Sequence, residues 1–306
     1  MSRPLPVPAE TRRATMSDGA EILLRRFAHP TGPRLAITHG NGFAVDGFRV
    51  FWEPLLADYD VVLFDMRGHG MNPPGVAANH HYPQLAEDVR TIRAAIAAGW
   101  DARPTVGVFH SMSSRAAMKQ AVEDGWIWDA LVLFDPPNVP LRGHPLYEKM
   151  RRFETRLVEF ALNRQEEFAS VAELVESYRS APASKGWLPQ AQEDMARAVL
   201  RDREGGGYEL AFRRECEAAI YLEALTLDLW PHAREFGGPF IMICADPDME
   251  RPSPTAIPNR ALAEEGGYDY AAVPGTGHLL QIEKPAECVA VMTDFLARHG
   301  LGPGGG

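Results

Sequence analysis

Short apolar runs rich in β-branched or aromatic residues recur along the chain, and each is followed by loop residues and a helical pattern. The runs are Leu35–Thr38, Val61–Asp65, Thr105–Phe109, Ala130–Phe134, Phe240–Cys244 and Tyr268–Val273. Strands alternate with helices in this way when a parallel sheet is covered by helices on both faces. The pattern therefore predicts an α/β fold with a mostly parallel, doubly wound sheet. Glu21–Phe27 is predicted as an antiparallel strand at its start.

Between the fourth and fifth of these runs, from Asp135 to Pro239, the pattern changes to long helical periodicity. Tyr147–Asn163, Val171–Ser180 and Gln190–Arg203 carry many Arg and Glu, which indicates helices with solvated faces. An insertion at this point lies over the carboxyl ends of the strands, where open α/β sheets bind ligands. We predict a helical cap at residues 136–238 on a core formed by residues 1–135 and 239–306.

Composition narrows the classes of function. The 306 residues have a net charge of −10, which disfavours nucleic acid as a partner because binding to phosphates needs clustered Lys and Arg. No apolar run approaches the ~20 residues of a membrane span, and the N-terminus has no apolar leader segment. We expect a cytoplasmic protein, and self-association into a homo-oligomer is compatible with this composition. Three widely spaced cysteines, Cys216, Cys244 and Cys288, predict buried thiols.

Ser111 is the first candidate for chemistry. It directly follows the apolar run Thr105–Phe109 and His110, and it precedes a good helix former, Arg115–Ala121. A serine at a sharp turn between a strand and a helix projects its hydroxyl above the sheet, and the helix N-terminus directs backbone N–H groups toward it. This context predicts Ser111 as a nucleophile.

His278 and an acidic residue complete a candidate triad. His278 follows the last predicted strand in a glycine-containing loop, and a neutral imidazole can accept the serine proton and return it to a leaving group. A carboxylate after Phe240–Cys244 could hold the imidazole in the required tautomer. Asp246 and Asp248 both lie there, and we favour Asp248 because it is further into the loop.

The order Ser, Asp, His resembles that of the α/β-hydrolase superfamily and differs from the orders in chymotrypsin-like and subtilisin-like enzymes. The segments that carry the resemblance are Thr38–Phe43, Phe64–Gly70, His110–Ser113, Asp248 and Gly277–Pro285. They extend over nearly the whole chain, which is therefore similar to capped serine hydrolases of the esterase and lipase type. The resemblance implies that the backbone N–H groups of Asn41 and Met112 form the oxyanion hole.

Two residues depart from the pattern of this superfamily. Small residues usually occur two positions before and after the nucleophile, where strand and helix pack closely, and here Phe109 and Ser113 occupy these positions. We expect the backbone of this turn to need extra room. His39, His69 and His110 are expected to brace loops, while His80 and His81 are expected at the surface and not at a metal.

These observations predict hydrolysis of a carboxylic ester, a lactone or a related acyl compound through an acyl-enzyme, without a cofactor or a metal. Hydrolysis of a carbon–carbon bond in a β-diketone-like compound uses the same triad and stays open. A binding or receptor module that keeps the fold also stays open. Aromatic residues in the insertion favour a mostly apolar, ester-like small-molecule substrate, although most such residues pack a core.

Overall fold

The computed structural model describes residues 4–227 and 229–304. Its strands are β1 (Glu10–Thr15), β2 (Glu21–Phe27), β3 (Arg34–Ile37), β4 (Asp60–Phe64), β5 (Thr105–His110), β6 (Ala130–Phe134), β7 (Glu167–Phe168), β8 (Leu200–Asp202), β9 (Tyr208–Leu210), β10 (Phe240–Ala245) and β11 (Asp269–Val273). Its α-helices are α1 (Arg49–Trp52), α2 (Tyr82–Gly99), α3 (Met112–Glu123), α4 (Tyr147–Asn163), α5 (Val171–Ser180), α6 (Pro189–Ala198), α7 (Arg214–Ala224), α8 (Ala256–Gly266), α9 (Leu280–Glu283) and α10 (Pro285–Arg298).

Eight strands form one sheet in the order β1-β2-β4-β3-β5-β6-β10-β11. The six strands from β4 to β11 in this order run parallel, and β1 and β2 pair antiparallel at one edge. The predicted mostly parallel α/β fold is therefore confirmed. The sequence did not predict β1, in which five of the six residues are exposed.

Alternation along the strands explains why the sheet is covered on both faces. In β4, Val61 and Leu63 belong to one buried cluster, whereas Val62 and Phe64 belong to the other. The first cluster includes residues of α1 and α10, and the second includes residues of α2 and α3. Because successive side chains of a strand point to opposite faces, a continuous apolar run packs against two layers of helices.

The segment between β6 and β10 contains α4 to α7, as the sequence predicted for three of these helices. It also contains a small sheet with the order β7-β9-β8, which the helical pattern did not predict. The predicted helix Gln190–Arg203 ends at Ala198, and Leu200 already belongs to β8. We call residues 136–227 and 229–238 the cap. That the cap and the core are separate domains with these bounds remains a prediction. Residues 1–3, 228 and 305–306 of the predicted ranges lie outside the described residues.

No helix in the described ranges is both long enough and apolar enough to cross a bilayer.

Candidate active site

Ser111 occupies a sharp turn between β5 and α3. Its backbone has φ 54° and ψ −116°, and only one other described non-glycine residue, Asp135, has a positive φ. The Ser111 N–H donates to the carbonyl oxygen of Phe134 over 2.8 Å, which holds the turn against β6. Such a conformation is costly for a residue with a Cβ, and it persists where the surrounding structure enforces it. The geometry is that of a sharp elbow at the carboxyl end of a parallel strand.

Phe109 fits next to this elbow because Gly107 makes room for it. Phe109 is fully buried, and its ring meets Trp128 edge-on at a centroid distance of 5.4 Å. A Cβ atom on Gly107 would lie only 2.4 Å from Phe109 Cε2. Residues 107 and 109 share one face of the strand, so the missing side chain of the first accommodates the large side chain of the second. The expected extra room therefore comes from the strand itself.

Ser113, the other departure, is satisfied within the turn. Its Oγ accepts from the His110 N–H and donates to the His110 carbonyl oxygen, both over 3.0 Å. The hydroxyl thus stabilises the turn and is itself hydrogen-bonded although Ser113 is fully buried.

His278 contacts both Ser111 and a carboxylate. Its Nε2 lies 2.9 Å from Ser111 Oγ, and its Nδ1 lies 2.5 Å from Asp135 Oδ2. If Nδ1 donates to the carboxylate, the neutral ring has its lone pair on Nε2 and can accept the Ser111 proton. The three side chains form a continuous hydrogen-bonded chain, in which Ser111 and His278 meet as predicted.

Asp135 directly follows β6 and is fully buried. Besides His278 it accepts hydrogen bonds from the Ala245 N–H, Thr255 Oγ1 and Asn259 Nδ2, over 3.1, 2.5 and 2.9 Å. Burial by itself raises the pKa of this carboxyl, but the hydrogen bonds and the charge of His278 outweigh it and hold the pKa below its ordinary value. The site therefore presents an ionised, fully hydrogen-bonded carboxylate to the imidazole.

The prediction that Asp248 is the partner of His278 is wrong on the geometry. The Asp248 side chain is 78% exposed and pairs with Arg260 Nη1 over 2.7 Å. Asp246 accepts from the backbone N–H groups of Asp248 and Gly275, so it braces the loop that leads to His278 and does not contact the imidazole. The physical reason lies in the strand order, because β6 is adjacent to β5 and β10 is one strand further from Ser111.

Asp135 was missed although the sequence contains a signal for it. It is an acidic residue immediately after the apolar run Ala130–Phe134, at the carboxyl end of a strand. The chain order does not discriminate between the candidates, because Asp135 and Asp248 both lie between Ser111 and His278.

The loop that contains Asn41 lies directly against the nucleophile. A Cβ atom on Gly40 would be 2.9 Å from Ser111 Cβ and 2.8 Å from His110 Nδ1. Met112 is the first residue of α3, so its N–H has no acceptor within that helix. Asn41 also reaches the cap, where its Nδ2 donates to the Glu217 carbonyl oxygen over 3.0 Å. Both predicted oxyanion residues thus lie beside Ser111, and their role remains a proposal.

Buried histidines brace this loop. His39 Nδ1 donates to the Gly40 carbonyl oxygen, and His39 Nε2 accepts from the Met66 N–H. His69 Nδ1 donates to the Arg67 carbonyl oxygen, and its Nε2 accepts from the Gly42 N–H. These are the bracing roles that the sequence predicted.

His80 and His81 differ from each other. His80 is 2% exposed, so its predicted surface position is wrong, and its Nδ1 donates to the Val76 carbonyl oxygen. His81 caps α2 by accepting from the Gln84 N–H. Among the residues that the structure describes, no three His, Cys, Asp or Glu side chains are grouped to hold a metal ion.

The buried histidines predict a loss of stability in mild acid. Burial is the main cause that lowers the pKa of His69 and His110, the latter to about 3. Below pH ~6.5 the unfolded chain therefore binds protons that the folded chain does not, so stability is fully present above this pH and falls as the pH drops. Each of the two histidines should lower the free energy of unfolding by about 1.4 kcal/mol for every pH unit below ~6.5.

Urea unfolding at pH 7.5 and 5.5 measures this effect. His110→Asn should reduce the pH dependence of the unfolding free energy, and His299→Asn, at an exposed position, is the matched control. Equal pH dependence in all three proteins would show that His110 takes up no proton on unfolding.

Comparison with known proteins identifies the family of this chain. Residues 35–291 match the alpha/beta hydrolase family. A probable alcohol acetyltransferase of Saccharomyces cerevisiae is 22% identical over 256 residues, which are 78% of this chain and 69% of the yeast protein.

Two solved structures share the fold. An E-2-(acetamidomethylene)succinate hydrolase superimposes with a TM-score of 0.75 at 17% identity, covering 94% of this chain and 99% of its own. A thermophilic esterase from Thermogutta terrifontis has a TM-score of 0.63 at 17% identity, with coverage of 95% and 99%. The chain belongs to the alpha/beta hydrolase family. Its chemistry is that of a hydrolase.

Proposed function

We propose that this protein is a serine hydrolase that cleaves a carboxylic ester or a related acyl compound. The observation that carries the proposal is the hydrogen-bonded chain from Ser111 Oγ through His278 to Asp135. A hydroxyl at an elbow, an imidazole within 2.9 Å and a buried carboxylate behind it are the parts that acyl transfer requires.

In the first half-reaction Ser111 Oγ attacks the substrate carbonyl carbon while His278 Nε2 accepts its proton. The carbonyl π electrons move to the oxygen, and the backbone N–H groups of Asn41 and Met112 stabilise the resulting oxyanion. Each such donor is typically worth about 3–4 kcal/mol of transition-state stabilisation. Collapse of the intermediate breaks the bond to the alcohol, which takes the proton from His278 as it leaves.

In the second half-reaction water attacks the acyl-enzyme. His278 accepts a proton from the water and returns it to Ser111 Oγ when the acid departs. Asp135 fixes the tautomer of His278 and stabilises the imidazolium in both halves without taking the proton itself.

Covalent labelling tests the proposal. A fluorophosphonate should label the protein once, on the peptide that contains Ser111, and labelling should abolish hydrolysis of short p-nitrophenyl esters in proportion. Ester turnover by protein that is fully labelled on Ser111 would contradict it. Labelling of Ser111 in a protein that turns over no ester would favour the binding-module alternative.

The similarity to the yeast alcohol acetyltransferase supports a second fate for the same acyl-enzyme, in which an alcohol replaces water. Ethanol added to the ester assay distinguishes the two fates, because transfer yields an ethyl ester and hydrolysis yields an acid. A β-diketone substrate in the same assay tests for carbon–carbon cleavage.

A further inference from the structure

An ion pair of the cap lies on the loop beside the nucleophile. Arg164 follows α4, and its Nη1 donates to Glu217 Oε2 of α7 over 2.5 Å. A Cβ atom on Gly42 would be 2.7 Å from Glu217 Oε1 and 3.0 Å from Arg164 Nη1. Since Gly42 is two residues after Gly40, which abuts Ser111, this pair lies close to the reacting centre.

The Arg164 guanidinium keeps hydrogen-bond donors that the protein does not use. Its bond to Glu217 engages Nη1, and within the described ranges Nε and Nη2 have no acceptor. Neither nitrogen is among the fully buried polar atoms without a partner, so both reach accessible space. The side chain is nevertheless only 15% exposed. A guanidinium that is largely desolvated but still accessible fits an enclosed binding site better than an open surface.

Three further donors surround the pair. The hydroxyl groups of Tyr178 and Tyr221 make no hydrogen bond with the described part of the chain, and the charges of Arg164 and Glu217 act on both. The Trp187 ring is tilted against that of Tyr178 at a centroid distance of 5.0 Å and meets that of Phe43 edge-on at 6.0 Å, and its buried Nε1 has no partner among the described residues. The Trp187 Nε1–H is a buried donor without an acceptor among the described residues, whereas the two tyrosine hydroxyls, like the free nitrogens of Arg164, reach accessible space. Buried donors are normally satisfied, so unpaired donors grouped at one place indicate that a ligand supplies the acceptors.

A second ion pair, between the cap and the core, is more deeply buried than the Arg164–Glu217 pair. Arg115 of α3 and Glu154 of α4 are each 1% exposed, with Arg115 Nη2 donating to Glu154 Oε1 over 2.5 Å. Arg115 also donates to the Tyr82 hydroxyl over 3.1 Å. This pair therefore joins the cap to the nucleophile helix. The unused Nε of Arg115 is fully buried, whereas the unused donors of Arg164 reach accessible space and can meet a ligand.

We propose that the substrate carries a carboxylate, which binds Arg164 and the hydroxyls of Tyr178 and Tyr221 while its ester group reaches Ser111. This deepens the proposed function and rests on it. A planar guanidinium held in place by Glu217 presents its remaining N–H groups in the fork that suits a carboxylate. The mostly apolar substrate expected from the sequence becomes an ester with one anionic end.

Matched pairs of esters test the proposal and show which side of the ester carries the acid. Mono(4-nitrophenyl) glutarate is compared with its neutral methyl ester, and 4-acetoxybenzoate with methyl 4-acetoxybenzoate. We expect kcat/KM to be about 10- to 100-fold higher for the anionic member of at least one pair, because hydrogen bonds to a charged group typically have this effect. Equal or lower kcat/KM for both anionic esters would overturn the carboxylate site. The proposed function would stay intact in that case if the neutral esters are hydrolysed and fluorophosphonate labelling of Ser111 abolishes their hydrolysis.

Variants of the ion pair test whether Arg164 causes the preference for anionic esters. Arg164→Gln alone leaves Glu217 buried without its partner, so the double variant R164Q/E217Q removes both charges together. The ratio of anionic to neutral kcat/KM should fall at least about tenfold in the double variant and less in Tyr221→Phe, which loses one neutral hydroxyl. Arg156→Gln, on the exposed face of α4, is the matched control and should keep the wild-type ratio. An unchanged ratio in R164Q/E217Q would assign the preference elsewhere and overturn the role of Arg164.

Discussion

Replacing Asp135 with Asn is expected to lower kcat for ester hydrolysis by about 10⁴-fold, the size of effect typical when the triad acid becomes an amide. The amide can donate to His278 Nδ1 and so favours the tautomer that has its proton on Nε2. That tautomer cannot accept the Ser111 proton. The imidazolium would also lose the ionised partner that now lies 2.5 Å from Nδ1. Steady-state kinetics on a p-nitrophenyl ester measure the change.

Asp248→Asn is the matched control for this experiment. Asp248 is exposed and its only described side-chain partner is Arg260, so its loss should cost under about 1 kcal/mol of stability and leave kcat close to wild type. Circular dichroism must show that D135N is folded, because three other donors to Asp135 would face an amide. A large loss of kcat in D248N with normal turnover in D135N would mean that Asp248, on the loop after β10, is the triad acid and that Asp135 is not.

Ser111→Ala should have the largest effect of any single substitution, a loss of about 10⁵- to 10⁶-fold in kcat, because no acyl-enzyme can form. Truncation to Ala removes Oγ and keeps the Cβ that packs beside Gly40, so the fold should be retained. Fluorophosphonate labelling must disappear together with turnover. Undiminished turnover by pure S111A protein would exclude Ser111 as the nucleophile.

Ser113→Ala is the control two residues away. It removes a hydroxyl that bonds only within the turn, so kcat should fall by less than about tenfold, as expected for one neutral hydrogen bond. Comparable losses in both variants would mean that the turn, and not the Ser111 hydroxyl, limits the reaction.

The sheet could be predicted from the sequence because its central strands are buried on both faces. A continuous run such as Ala130–Phe134 has few other stable placements. The short strands β7, β8 and β9 could not be predicted, since each has two or three residues and depends on its neighbours for hydrogen bonds. Local pattern carries too little information for such elements.

The residues of the candidate site could be predicted where the local sequence determines their position. They could not be predicted where their position depends on how distant strands are arranged in the fold. Ser111 and His278 each lie in a loop whose composition indicates its geometry. The choice between Asp135 and Asp248 depends on which strand end lies closer to the imidazole, which is a property of the strand order. The fit of Phe109 likewise depends on Gly107, a contact that becomes visible only when both residues share a strand face.

The hydrogen bond from Asn41 to the Glu217 carbonyl oxygen connects the cap to the loop that is proposed to supply an oxyanion donor. A displacement of α7 away from the core would break this bond and remove Glu217 from Gly42, which frees the loop that positions the oxyanion donor. An enzyme with this part of the cap raised could admit substrate but would stabilise the transition state poorly. If Asn41 has its proposed role, closure of the cap and competence for catalysis coincide, and the acyl-enzyme forms when the cap covers it.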